Sequence, residues 1–155
     1  MFPPLPPESV ARRPKTKLFA MLAVLLAITL IVLWNCGKGA YRDYRLASAA
    51  VDQFHQELDR GDFEAIYSEA TDDFRSGGSL SDFSKVLQKV RQKMGNSGKK
   101  TPQGFHVNWK NGSHLVDAVF DTQFASGHAQ ESFIWVVENG QMRLKVYNID
   151  STNLH

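Results

Sequence analysis

Apolar positions fall along this chain in three successive rhythms: a continuous run, a helical spacing of three and four, and a strict alternation. The continuous run covers residues 18–34, seventeen positions in which Thr29 is the lone polar side chain. As a helix it would rise about 26 Å, the short end of what crosses a bilayer. Tyr44, Ala47, Val51, Phe54 and Leu58 then recur every three or four residues, which predicts a helix ending near Arg60-Gly61. A second short helix opens at Asp62, with Phe63, Ile66, Tyr67 and Ala70 on one face. Ser79 followed by Asp82 predicts the cap of a third, whose stripe is Leu80, Phe83, Val86, Leu87, Val90 and Met94 and which Gly95 stops.

After a polar stretch over 96–102 the period becomes two. Strands are predicted near 103–109, 113–124, 129–138 and 141–150, joined at Asn111-Gly112, Ser126-Gly127 and Asn139-Gly140. Treated as two-residue turns, these bring Phe105, Val107, Trp109, Val116, Ala118, Phe120, Phe124, Phe133, Trp135, Val137, Met142, Leu144 and Val146 to one face. That face must pack on the helices. The fold class is therefore α+β: an N-terminal transmembrane helix, then three helices packed on a four-stranded antiparallel curved sheet. The domain plan is a Pro-rich, basic cytoplasmic tail over 1–17, an anchor over 18–36, a linker over 37–43 and the α+β domain over 44–151.

Polar residues on the core face are the candidates for chemistry. The same register sets Thr122 opposite Glu131 and Glu131 opposite Asn148, a polar row at one end of the sheet. A carboxylate lining an apolar cavity has its pKa raised and can serve as acid or base. Glu131, Thr122 and Asn148 are thus the candidate pocket, set against the plainer reading of a solvated sheet rim; no residue is singled out as catalytic. On the opposite face, Leu115, Val119, Ile134, Val136 and Tyr147 form an apolar patch that calls for a second copy or another envelope protein to cover it.

Charge changes this picture in two ways. The net charge of +2 hides an imbalance, because Arg12, Arg13, Lys15 and Lys17 all precede the apolar run. From Tyr41 onward thirteen basic residues face fifteen acidic ones, which argues against a nucleic-acid-binding surface. The same clustering orients the anchor, with the N-terminus cytoplasmic and the C-terminal domain outside the inner membrane. Cys36 is the single cysteine, so no internal disulfide forms. Acylation of Cys36 as a lipoprotein is the weaker alternative, because Leu33-Trp34-Asn35 departs from the small residues that precede such a site. The five histidines lack metal-ligand spacing, and neither metal nor cofactor is expected.

The segment from Phe54 to Phe63 (Phe-His-Gln-Glu-Leu-Asp-Arg-Gly-Asp-Phe), Ile66-Tyr67 with Phe74, and the closing Leu144-Lys-Val-Tyr-Asn-Ile-Asp-Ser151 resemble small membrane-anchored bacterial families of the nuclear-transport-factor-2-like superfamily. The resemblance covers roughly residues 45–151. It implies a cone-shaped α+β roll, a scaffold shared by binding domains and by enzymes with a pocket carboxylate. It transfers no catalytic residue to this chain. The leading expectation is an extracytoplasmic binding or interaction module. A small-molecule enzyme using Glu131 and a scaffold subunit of a secretion-type assembly are the alternatives.

Overall fold

A computed structural model describes residues 15–154, with side chains described over 19–33 and 39–154. The tail assigned to 1–17 lies largely outside the described residues. The chain divides into two compact units, one ending at Gly39 and one beginning at Ala40. Helix α1 runs from Lys15–Arg60, so residues 37–43, expected as a linker, are helical. In the first unit, every large apolar residue from Phe19 to Leu33 is more than half exposed. Thr29, the one polar residue there, donates its hydroxyl to the Leu25 carbonyl at 2.8 Å. Among the described residues no helix is long and apolar enough to cross a membrane.

The second unit is α+β. The C-terminal part of α1 is followed by α2 (Phe63–Glu69), α3 (Asp72–Ser76) and α4 (Leu80–Met94). Then come β1 (Ser97–Lys110), β2 (Ser113–Phe124), β3 (Gly127–Glu138) and β4 (Gln141–Asp150), closed by a 3₁₀ turn at Thr152–Leu154. The strands form one antiparallel sheet in the order β1-β2-β3-β4. Asp62 caps α2 and Ser79 caps α4, each side chain accepting from a backbone N–H three residues on. The short α3 breaks no apolar rhythm; Thr71 caps it, and the Thr71 N–H reaches the Leu144 carbonyl of the β4 edge at 2.9 Å.

Ala47, Val51, Phe54 and Leu58 of α1 join Leu87, Val90 and Met94 of α4 over Val116, Ala118, Phe120, Phe124, Phe133, Trp135 and Leu144 of the sheet. Phe133 lies at the centre, with Phe54, Tyr147 and Trp135 all within 5.6 Å between ring centroids. Three members of the expected core face escape it: Val107, Trp109 and, through a bulge in β4, Val146. Val107 is 38% exposed and Trp109 70%, the latter stacked on His114 beside the turn.

The register differs from the expected one in two places. The β2–β3 turn is Ala125-Ser126 rather than Ser126-Gly127, so Phe124 pairs with Gly127 and Glu131 faces Phe120, not Thr122. Backbone bonds hold it there: Ala125 N–H donates to the Asn96 carbonyl and Ser126 N–H to that of Met94. Gly127, at φ 145°, also lies where a Cβ would come within 2.7 Å of Asn153 Nδ2. That slip is two residues, so faces are kept. The second is one residue: a bulge leaves Lys145 without a partner, Trp135 pairing with Leu144 but Ile134 with Val146. Every residue of β4 beyond the bulge exchanges faces. Tyr147, expected outside, packs on the core; Asn148, expected in the pocket, is exposed and pairs with Ser132. Glu131 faces Ile149. The bulge sits on an edge strand where Thr71 engages Leu144 and Asp73 engages Lys145, so the N-terminus of α3 covers the distorted ladder.

β1 begins at Ser97 and takes in, through two irregularities, most of the stretch expected as a polar loop over 96–102. The pairings beside the Asn111-Gly112 and Asn139-Gly140 turns match expectation. Both asparagines take φ 52° and both glycines φ 78°, the two positive values that a type I′ hairpin requires.

Candidate functional site

Glu131 is the centre of the polar constellation, although with other partners than its neighbours in the expected row. Its side chain is fully buried on the core face of β3. His55, on the inner face of α1, places Nε2 2.7 Å from Glu131 Oε2. Tyr147, turned inward by the bulge, donates its hydroxyl to Oε1 at 2.8 Å. Each carboxylate oxygen therefore has a partner, and the three side chains tie α1, β3 and β4 together under Phe54, Phe124 and Phe133.

Burial, then the adjacent Glu131 charge and the bond to it, hold the Tyr147 hydroxyl well above its ordinary pKa. A group raised on folding contributes stability in full below its unfolded value and loses it as pH rises beyond. Tyr147 should therefore weaken the fold above pH ~10. In Tyr147→Phe that share of the alkaline loss should disappear, as read from urea midpoints measured across the alkaline range.

Thr122 is also fully buried, but its Oγ1 has no partner and it does not touch the Glu131 pair through a hydrogen bond. An unpaired buried hydroxyl costs desolvation without return. Thr122→Val, which keeps the shape, should raise unfolding stability by about 1 kcal/mol. Of the three expected pocket residues, the structure thus brings Glu131 and Thr122 into the core and leaves Asn148 outside. His55 and Tyr147 were not legible as its partners. His55 does occupy the position after Phe54 on the predicted helix, and that was the available signal.

A second buried pair lies at the other end of the sheet. Asp43 of α1, 4% exposed, sits 3.1 Å from His114 Nε2, with Arg42 3.5 Å from its other oxygen. His114 closes the end next to the Asn111-Gly112 turn, under the Trp109 ring. This is a structural contact between helix and hairpin.

On the outer face, Val136 is only 7% exposed, in a crease with Thr71, Asp73, Arg143 and Lys145. Tyr147 belongs to the core side. Leu115, Val119 and Ile134 remain outward and half-buried. The expected patch is therefore smaller than its sequence suggested.

Neither Glu131 nor His55 lines any of five clefts among the described residues, although Tyr147 borders one of them beside Phe74 and Phe83. No group of three or more metal-ligating side chains occurs among the described residues. Compared with known protein families and with curated proteins, the chain matches none.

Proposed function

We propose that this protein is a membrane-tethered, non-catalytic binding module: anchored by residues 18–36, N-terminus cytoplasmic, with the α+β unit outside the inner membrane. The observation that carries the tether is the side-chain environment of residues 19–33, a described stretch shorter than a full span, which the apolar run over 18–34 extends in the sequence. Each large apolar residue there is exposed, and the single hydroxyl is satisfied within the helix, as a hydrocarbon surrounding demands. The order of helices followed by one curved sheet supports the resemblance to the nuclear-transport-factor-2-like roll. The non-catalytic reading rests on Glu131. A general acid or base needs a free oxygen facing a substrate cavity, and both of its oxygens are engaged, one by the buried His55 and one by the half-buried Tyr147. Leu115, Val119 and Ile134 are the surface proposed to meet a second copy or an envelope partner.

Topology tests the proposal. With Cys36→Ser and Asn153→Cys, a membrane-impermeant maleimide should label intact cells at the C-terminus. Labelling only after the membrane is opened would place the α+β unit in the cytoplasm and end this reading.

A further inference from the structure

We infer that the cleft between α1 and the β3–β4 hairpin binds a primary ammonium that carries an oxygen acceptor beside it. This goes beyond the tether and does not depend on it. The outer cleft has a volume of about 600 Å³, with Leu46, Ala49 and Ala50 on the helix side and Asn139, Gly140 and Met142 opposite. Small residues on α1 leave this space open where larger ones would fill it. It continues inward, through Ala50, Gln53, Glu69 and Met142, to a bay of about 30 Å³ walled by Phe54, Ile66, Trp135 and Leu144. That bay has room for one small polar group. The dimensions and the mixed lining are those of a small-molecule site.

Two independent features define the occupant. Trp135, which walls the bay and is 4% exposed, has an indole N–H with no partner. An indole only donates, so the missing group is an acceptor. The second feature is charge. The Gln53 amide donates to Glu57 Oε1 at 2.9 Å and to Glu69 Oε2 at 2.8 Å, drawing two carboxylates to one side of the cleft. The other oxygen of each has no hydrogen bond from a described residue. Arg143, which also lines the outer cleft, makes no hydrogen bond to the side-chain carboxylate of Glu57 or Glu69: its guanidinium donates to the Glu69 and Ala70 carbonyls and to Glu138 Oε2. Glu57 is held above its ordinary pKa, chiefly by burial; the Gln53 hydrogen bond and, less, Arg60 offset part of the rise, while the Glu69 and Asp62 charges add to it. A cation between Glu57 and Glu69 would relieve that repulsion, and an oxygen on the same molecule would accept from Trp135. Ammonium and oxygen lie this close in amino alcohols and at a peptide N-terminus.

The test follows the Trp135 indole N–H by NMR in the full-length protein in detergent micelles, with Trp135→Phe identifying the resonance. Ethanolamine stands for the amino alcohol and glycinamide for the peptide terminus. At least one should move the resonance saturably, and the tighter of the two identifies the source. Ethylammonium lacks the acceptor and glycolamide the charge; each should bind about tenfold more weakly, having lost one charge-assisted or buried hydrogen bond. Glu69→Gln, an exposed change that spares the core, should weaken the better probe by a similar factor with an unaltered urea midpoint. The inference is overturned if none of the four compounds moves the resonance. It is equally overturned if glycolamide matches glycinamide, or if Glu69→Gln binds as the unaltered protein does.

Discussion

Glu131→Ala is expected to lower unfolding stability by about 3–5 kcal/mol, the cost of leaving two hydrogen-bonding partners without their acceptor and opening a cavity in the core. Domains of this size are stable by only about 5–15 kcal/mol in total. The substitution strands the buried His55 Nε2 and the Tyr147 hydroxyl together and leaves a void beside Phe120 and Phe133. A companion variant separates polar pairing from volume. With His55→Leu, Glu131→Leu and Tyr147→Phe combined, no donor is left without an acceptor, and replacing a buried polar set by apolar groups of similar size is often neutral or better. The triple variant should recover most of the loss. Urea unfolding followed through tryptophan fluorescence measures both. Were Glu131→Ala to unfold within about 0.5 kcal/mol of the unaltered protein, the carboxylate would be a hydrated rim residue after all. The argument against catalysis would then fall with it.

That Glu131 is buried was half legible in the sequence, and the reason for the other half is specific. Alternation places Glu131 on the apolar face whichever turn is chosen, because moving the β2–β3 turn by one residue shifts the pairing by two and parity survives. Its partners depend on one extra residue in β4. Nothing in Gln141-Met-Arg-Leu-Lys-Val-Tyr-Asn-Ile-Asp150 marks Lys145 as that residue, since Leu144, Val146 and Tyr147 suit either phase. What selects the bulge is non-local: Thr71 and Asp73 meet the strand edge through contacts more than seventy residues away in sequence. The same holds for α3, whose Asp72–Ser76 segment is too short to show a stripe. By contrast the capped helices α2 and α4 and the two Asn-Gly hairpins were readable, because each is specified by residues within one turn of itself. Trp109 shows the converse failure: alternation assigns it to the core face, but it stands 70% exposed, stacked on His114 beside the turn.

The second large effect is expected at the opposite end of the chain. On the proposed tether, replacing Leu25 and Ile28 together by arginine should release the protein from membranes into the alkaline carbonate supernatant. Each arginine near the middle of a spanning helix costs about 2.5–3.5 kcal/mol on the insertion scale. Leu or Ile returns only about 0.3–0.6 kcal/mol per residue on the same scale, so two arginines outweigh most of a seventeen-residue run. Both positions are 52% exposed and lie on a helix whose neighbouring apolar residues are equally uncovered. The charges therefore disturb no packed core, and the effect reads insertion rather than folding. Leu25→Val with Ile28→Leu, which keeps the apolar character, should stay in the pellet. Cys36→Ser should stay there too, because a spanning helix needs no acyl chain, whereas a protein held only by a lipid on Cys36 would be released by that change alone. A double-arginine variant that remains in the pellet, beside a Cys36→Ser variant that leaves it, would replace the helical tether with the acylated one.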